Sequence, residues 1–235
     1  MYVPTDSTPV VIVGAGPSGL AAAAELSWHG IDCLLVEPRR AVSVDRPRAK
    51  TTSVRSMEHF RRWGVANGVR AAALLSVAWS DRVIFCESLT GALITAFNGC
   101  FGLSTERLDL AAESGQQVPQ PVVEQVLRAH LADSPHVQLA LGDTVVGLAE
   151  QPGSVRVQVQ ADNVDQYAGD ARYVLGCDGP NGSAVLPAVV VCTDITESYD
   201  KSVQNDRTTT DPNREQPSVV AGRFCCAARP TRSLR

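Results

Sequence analysis

Short apolar runs alternate with a helical pattern in the first 40 residues. The run 10–13 is entirely β-branched, a glycine-rich stretch follows at 14–19, and an alanine-rich segment comes next. A second apolar run occupies 31–36. β-Branched residues in a short continuous run favour a buried strand, whereas a longer alanine-rich segment favours a helix. The pattern predicts a strand, a tight turn, a helix and a second strand, which is the opening unit of a nucleotide-binding α/β fold.

The remaining elements are predicted from periodicity and from turn residues. Helices are expected from 51 or 53 to 64, over 69–75 after a turn at 67–68, and over 116–132. Strands are expected at 77–87, 92–97, 137–141, 144–150, 155–160 and 172–175, the first two joined by a hairpin turn at 89–91. Residues 1–9 are expected to be a poorly ordered polar tail, and 98–104 a loop.

The stretch 14–19 has the sequence GAGPSG, in which each position has its own physical task. Gly14 permits a tight turn, Gly16 lets the backbone approach a pyrophosphate, and Gly19 lets helix and strand pack closely. Pro17 fits the first helical turn, where no amide hydrogen is needed, and Ser18 lies beside it. The free N–H groups of that turn favour a ligand with negative charge.

An acid stands where such a site needs one. Glu37 ends the second apolar run, eighteen residues after Gly19, and a carboxylate at that strand tip can accept hydrogen bonds from a ribose. The same charge repels a 2′-phosphate, so FAD or NAD is favoured over NADP. The alternative is a purely structural glycine turn before an alanine-rich helix, which leaves Glu37 unexplained.

Two further segments are open to two interpretations. The loop 38–49 contains four arginines, which either neutralise a phosphate or form a solvated basic loop. Asp178 lies between glycines just after the apolar run 172–175. It either faces the same ligand as the first glycine turn or forms a local Asp-Gly turn.

Composition excludes several classes of function. With 235 residues and a net charge of −4, the chain has no electrostatic footprint for nucleic acid. Its seven cysteines form no CxxC pair and no metal-ligand spacing, which favours reduced thiols in a cytoplasmic protein and no metal site. No run approaches the ~20 apolar residues of a membrane span. His130 and His136 are expected to be surface residues.

With these residues in view, the chain resembles the FAD-dependent aromatic hydroxylases, the flavin monooxygenases related to para-hydroxybenzoate hydroxylase and phenol hydroxylase. The resemblance covers about residues 9–185. GAGPSG with Glu37 is similar to the family's dinucleotide fingerprint, and RPRAKTTSVRSMEHFRRWG is similar to the segment whose arginine, here Arg48, reaches the flavin. VPQPVVEQVL resembles the helix start whose glutamine, here Gln120, lies beside the cofactor. GCDG, with Asp178, resembles a second fingerprint that serves FAD and NAD(P)H.

The resemblance implies an α/β fold: an FAD-binding, Rossmann-like, doubly wound domain with an inserted antiparallel β piece of a substrate lobe. It also implies FAD as cofactor and NADH or NADPH as reductant. The implied partners are O2 and a small aromatic or polyketide-like substrate. A flavin hydroperoxide would hydroxylate this substrate. The cofactor carries the difficult chemistry, so no catalytic residue is assigned.

The chain departs from the family pattern after residue 185, where a later Gly-Asp fingerprint and further strands are missing. We therefore expect a discontinuous FAD-binding domain at 9–75 and 114–185, a partial substrate-lobe insertion at 76–113, and a disordered or aberrant tail at 186–235. The chain is then incomplete relative to the family. Two other functions stay open: a truncated, non-catalytic dinucleotide-binding remnant and an NAD-dependent dehydrogenase.

Overall fold

The computed structural model describes residues 7–44, 49–79, 81–104, 109–162 and 166–179. The expected tail at 186–235 lies outside the described residues. The other expected tail, 1–9, is partly wrong, because residues 7–9 already belong to the first strand. Ser7 and Thr8 pair with Asp170 and Ala171 of the last described strand, and this pairing orders the start of the chain segment.

The described residues form ten strands and four α-helices. The strands are β1 (Ser7–Val13), β2 (Cys33–Glu37), β3 (Thr51–Thr52), β4 (Val83–Cys86), β5 (Leu93–Phe97), β6 (Gln116–Gln117), β7 (Val137–Leu141), β8 (Thr144–Gln151), β9 (Ser154–Gln160) and β10 (Gln166–Gly176). The helices are α1 (Pro17–Trp28), α2 (Val54–Arg62), α3 (Ala66–Ala72) and α4 (Gln120–Ala132), with 3-10 turns at Val77–Trp79 and Cys100–Gly102.

Six strands form one sheet in the order β7-β2-β1-β10-β9-β8. The first four are parallel, and their order is the one found in nucleotide-binding α/β folds. Val13 pairs with Val36 on one side and with Gly176 on the other, so β1, β2 and β10 end at the same level. Ligands of open α/β sheets bind beyond such strand ends, so the segments after these strands share one edge.

The two faces of the sheet are covered differently. All four helices pack on the face that carries Ile12 and Leu35. On the opposite face, Val11 and Val36 are buried against β8, β9 and β10, which curl back so that β8 touches β2. The predicted α/β class with Rossmann-like parallel strands is confirmed, and antiparallel strands cover the second face where a doubly wound sheet usually carries helices.

Several predicted elements differ from the structure. The strand predicted at 172–175 begins at Gln166, and the helix predicted at 69–75 is α3, Ala66–Ala72. Within 77–87 only Val83–Cys86 is a strand, because the chain first makes a 3-10 turn that buries Val77 and exposes Trp79. The turn expected at 67–68 is wrong. These residues lie inside α3, where Gly68 has no side chain and so approaches Val126 of α4 closely.

The long helix also begins later than predicted. Gln116 and Gln117 form β6, which pairs with Thr52 and Thr51 of β3, and α4 starts only at Gln120 after Pro119. Proline lacks an N–H and favours the first turn of a helix, so the two prolines of this segment mark the true start. No helix in the described part of the chain is both long and apolar enough to span a membrane.

A two-stranded hairpin of β4 and β5 stands apart from the main sheet. The predicted hairpin is confirmed, and its turn closes with a 3.1 Å hydrogen bond from the Gly91 N–H to the Ser88 carbonyl. Large apolar side chains are exposed on it: Ile84, Phe85, Leu93, Ile94 and Phe97. An isolated hairpin is only marginally stable in water. A contiguous exposed apolar patch of this kind is also uncommon on soluble domains.

Candidate cofactor-binding site

The turn after β1 is tied to both neighbouring strands. The Gly14 N–H donates to the Val36 carbonyl at 2.8 Å, and the Cys177 N–H donates to the Val13 carbonyl at 2.7 Å. Gly14 has φ of +100°, and a Cβ there would lie only 2.6 Å from the Cys177 carbonyl oxygen. Glycine is therefore required at position 14 by conformation and by space.

The other two glycines of the turn differ in the space that a side chain would find there. A Cβ on Gly19 would come within 1.9 Å of the Gly14 carbonyl oxygen, so the start of α1 lies directly against the turn. A Cβ on Gly16 would meet no atom within 4 Å. The first helical residue is Pro17, Ser18 is exposed, and no acidic residue lies in the first turn. The backbone at Gly16 is thus open to a ligand at the positive end of a helix.

Glu37 directs its buried carboxylate at this turn. Oε2 accepts a 2.7 Å hydrogen bond from the Ala15 backbone N–H. Oε1 accepts two from Arg39, at 3.1 Å from the backbone N–H and at 2.6 Å from Nε. Burial raises the pKa of Glu37, but these hydrogen bonds and the Arg39 charge outweigh it, so the pKa lies below its ordinary value. The carboxylate is charged at neutral pH.

The hydrogen-bonding capacity of Glu37 is not exhausted. An ionised carboxylate has about four acceptor positions. Among the described residues three are in use, and there Oε2 accepts only the Ala15 bond. One position therefore remains for a hydroxyl of a bound sugar, at the strand tip where the sequence predicts a ribose.

Asp178 follows β10 and lies against the same turn. A Cβ on Gly14 would be 2.8 Å from the Asp178 Cα. Its Oδ2 is buried and has no hydrogen-bond partner among the described residues. A buried acceptor without a donor costs free energy, and a ligand N–H or O–H at this point would remove that cost. Beside it, burial and the Asp178 carboxylate raise the pKa of the Cys177 thiol to about 11.

Gln120 begins α4 and is linked to the end of the basic loop. Its backbone N–H donates to the Ala49 carbonyl at 2.8 Å, and its Nε2 donates to Glu124 Oε1 at 2.7 Å. The neighbouring Arg48, predicted to reach the cofactor, lies outside the described residues. The roles predicted for Gln120 and Arg48 stay predictions.

Two buried charged residues on α4 were missed by the sequence reasoning. Glu124 and Arg128 are 4% and 8% exposed, and Arg128 Nη1 donates to the carbonyls of Arg39 and Arg40 at 3.3 and 3.4 Å. The sequence contains a signal for their burial, because both residues share the buried face of the helix with Leu127 and Leu131 at three- and four-residue spacings.

A separate cleft of about 580 Å³ lies between α3, the Val77–Trp79 turn, Ser104 and the segment 112–116. The buried Glu113 lines it and forms ion pairs with Arg70 and, at 3.8 Å, with Arg61. The residues of the glycine turn do not line this cleft. Its best-buried charge is already paired, whereas the turn offers an open backbone and an unpartnered acceptor, so the turn is the stronger candidate site.

Comparison with known proteins agrees with this geometry. The family model of the FAD binding domain matches residues 7–218, which continues past residue 185. A 3-(3-hydroxy-phenyl)propionate/3-hydroxycinnamic acid hydroxylase 2 from Burkholderia vietnamiensis is 32% identical over 175 residues, 74% of this chain and 30% of the relative. A rifampicin monooxygenase from Streptomyces venezuelae is 33% identical over 174 residues, 72% of this chain and 31% of the relative.

Solved structures give the same result. The flavin-dependent monooxygenase PieE, in complex with FAD and substrate, superposes with a TM-score of 0.64 at 26% identity, over 76% of this chain and 31% of that chain. RebC soaked with K252c superposes with a TM-score of 0.63 at 25% identity, over 76% and 34%. The chain spans about a third of the length of the proteins that it matches.

Proposed function

Because the chain belongs to the FAD binding domain family, together with flavin-dependent hydroxylases and monooxygenases, we propose that it binds FAD across the turn that follows β1. The pyrophosphate lies against the backbone at Gly16 and the N-terminus of α1, and the adenosine ribose donates to Glu37. Asp178, Gln120 and Arg48 complete the cofactor contacts.

One observation carries this proposal: three separate features meet at one strand edge. They are the open backbone at Gly16, the remaining acceptor position of Glu37 and the Oδ2 of Asp178, which has no partner in the part of the chain that the structure describes. A nucleotide that carries phosphates and a ribose supplies what each of them needs, namely acceptor oxygens for the helix terminus and hydroxyl donors for the carboxylates.

The reaction we propose is NAD(P)H-dependent hydroxylation of a small aromatic or polyketide-like molecule with O2, carried out by a protein that contains this domain. Bound FAD supplies the electron transfer and the oxygen activation, and the residues of this chain bind and orient it. The named activities of the relatives support a phenolic or polycyclic aromatic substrate. A cytoplasmic location fits the four free cysteines of the described residues, of which Cys33 is buried and Cys177 half-buried.

The test is the visible spectrum of the purified chain after incubation with FAD and gel filtration. We expect flavin absorption to co-elute with the protein, and the variant Glu37→Gln to retain much less flavin than wild type. Glu150→Gln is the matched control, because Glu150 is an exposed carboxylate on β8. Equal flavin retention by wild type and Glu37→Gln would contradict the proposed role of Glu37.

Adding NADH or NADPH and candidate phenols to the flavin-loaded protein tests the reaction. Substrate-stimulated oxidation of NAD(P)H supports the hydroxylase. Flavin binding without such oxidation would limit this chain to dinucleotide binding. A melting temperature raised by NAD and not by FAD would instead favour the NAD-dependent dehydrogenase, because a ligand stabilises the state that it binds.

A further inference from the structure

Arg128 is a buried arginine in the second half of α4. Its Nη1 donates to two backbone carbonyls, those of Arg39 and Arg40, whereas its Nε and Nη2 are buried and have no hydrogen-bond partner among the described residues. A buried guanidinium with unused donors is costly, and a well-packed apolar residue often serves stability equally well. Stability alone therefore does not explain why position 128 is an arginine.

The charges around Arg128 supply that reason. Burial lowers the pKa of its guanidinium, the carboxylates of Glu37 and Glu124 counter this effect, and the positive charge of Arg39 adds to it. Arginine nevertheless stays protonated in proteins. Arg128 thus brings a permanent positive charge from α4 to the underside of the segment that follows β2.

The two carbonyls that Arg128 binds belong to the segment that controls Glu37. Arg39 donates from both its backbone N–H and its Nε to Glu37 Oε1. The next residue, Arg40, is directed outward, where its Nε donates to Asp162 at 2.6 Å. Fixing the carbonyls of Arg39 and Arg40 therefore fixes the donors that hold the Glu37 carboxylate.

We propose that Arg128 is a positioning residue of the adenosine pocket, which anchors the Arg39–Arg40 backbone from below and so holds Glu37 charged and directed at the ribose. The part that concerns the ribose rests on the proposed function, whereas the part that concerns Glu37 does not. The groups that act directly on Glu37 are the Ala15 N–H from the turn and Arg39 from the loop. From α4, Arg128 holds the carbonyls of Arg39 and Arg40, and the carboxylates of Glu37 and Glu124 both act on its guanidinium.

The first experiment needs no cofactor. The carboxyl carbon of Glu37 is titrated by NMR in the full-length chain labelled with ¹³C-glutamate, and its signal is assigned by its loss in Glu37→Gln. We expect Glu37 to titrate at higher pH in Arg128→Met than in wild type. Arg128→Lys, which keeps the charge, should restore part of the difference, and Arg55→Met, at an exposed site on α2, should change nothing.

An unchanged titration midpoint of Glu37 in folded Arg128→Met would overturn the proposal. If that variant does not fold, Arg128→Leu is used, because it also removes every donor to the carbonyls of Arg39 and Arg40. A midpoint in Arg128→Leu equal to that of wild type would overturn the proposal in the same way, and a raised midpoint would support it.

The second experiment measures the binding of ADP and of 2′,3′-dideoxy-ADP by calorimetry. Arg128→Met should weaken ADP about tenfold, the size expected when a hydrogen bond to a charged group is disturbed, and should leave the dideoxy analogue nearly unaffected. Equal weakening of both ligands would overturn the link to the ribose. If wild type binds neither ligand, the proposed function fails, and the NMR titration still decides the effect of Arg128 on Glu37.

Discussion

Adding one methyl group at Gly16 or at Gly19 should separate cofactor binding from folding. At Gly19 the new Cβ would lie 1.9 Å from the Gly14 carbonyl oxygen, and ordinary contact begins at 3.4 Å, so helix and turn must move apart by about 1.5 Å. At Gly16 the new Cβ meets nothing within 4 Å, and the φ of −74° and ψ of −178° suit any residue. The two substitutions are chemically identical, so any difference between them comes from position.

The expected magnitudes follow from these distances. Overpacking of this kind costs about 1–3 kcal/mol or more, and the helix propensity of alanine returns only about 1 kcal/mol. We therefore expect Gly19→Ala to lose about 2 kcal/mol, a fall in Tm of roughly 4–8 °C for a chain of this length. For Gly16→Ala, the weaker cap and the lower entropy of the unfolded chain nearly cancel, so the Tm should stay within about 2 °C of wild type.

FAD binding should be lost in Gly16→Ala, the variant whose stability without ligand is nearly unchanged. FAD at a hundred times its Kd stabilises the native state by about 2.7 kcal/mol, which raises the Tm by roughly 5–10 °C. Gly16→Ala should lose this shift, because the methyl group occupies the space that the pyrophosphate needs. Gly68→Ala, a helical glycine whose new Cβ would make an ordinary 3.4 Å contact with Val126, should keep the shift.

The assay is thermal unfolding followed by circular dichroism, with and without FAD, for wild type and the three variants. The reasoning is refuted if Gly16→Ala retains the full FAD-induced rise in Tm, since the backbone at Gly16 would then not face the phosphates. It is also refuted if Gly16→Ala is as unstable as Gly19→Ala, because the space at Gly16 would then not be free.

Three further predictions concern charge, thiols and exposed surface. The pKa of Glu37 is lowered in the folded protein, so its contribution to stability is present above the unfolded pKa of about 4.3 and is lost as pH falls through the folded pKa. The urea midpoint of Glu37→Gln should therefore depend less on pH in the acid range than that of wild type. An equal pH dependence of the two midpoints would contradict this. Burial raises the pKa of Cys33 and of Cys177 to about 11, so alkylation at pH 8, mapped by mass spectrometry, should modify the exposed Cys86 well before either of them. The apolar hairpin should bind the dye ANS and so increase the fluorescence of the dye. Phe85→Lys should lower the ANS fluorescence while changing the free energy of unfolding by no more than about 0.5 kcal/mol. Undiminished fluorescence would locate the dye-binding apolar surface elsewhere.

The sequence by itself determined the local parts of the site. The glycine turn, the helix behind it and the acid at the tip of β2 lie within 28 residues of one another, from Val10 to Glu37, and spacing along the chain fixes their geometry. Glycine at a positive φ and proline in a first helical turn are requirements of single residues, so they are visible without a fold. The α/β class was predicted from these signals, whereas the family needed them together with the segments that contain Arg48, Gln120 and Asp178.

Only the tertiary structure decided what surrounds those parts. Glu37 is held by Ala15 and Arg39, Asp178 reaches the turn from the segment after β10, and Arg128 binds the loop after β2 from α4. These contacts join residues up to 164 positions apart, from Gly14 to Asp178, and no periodicity encodes them. The burial of a charge depends on which elements pack together, and that packing is a property of the whole sheet and its helices.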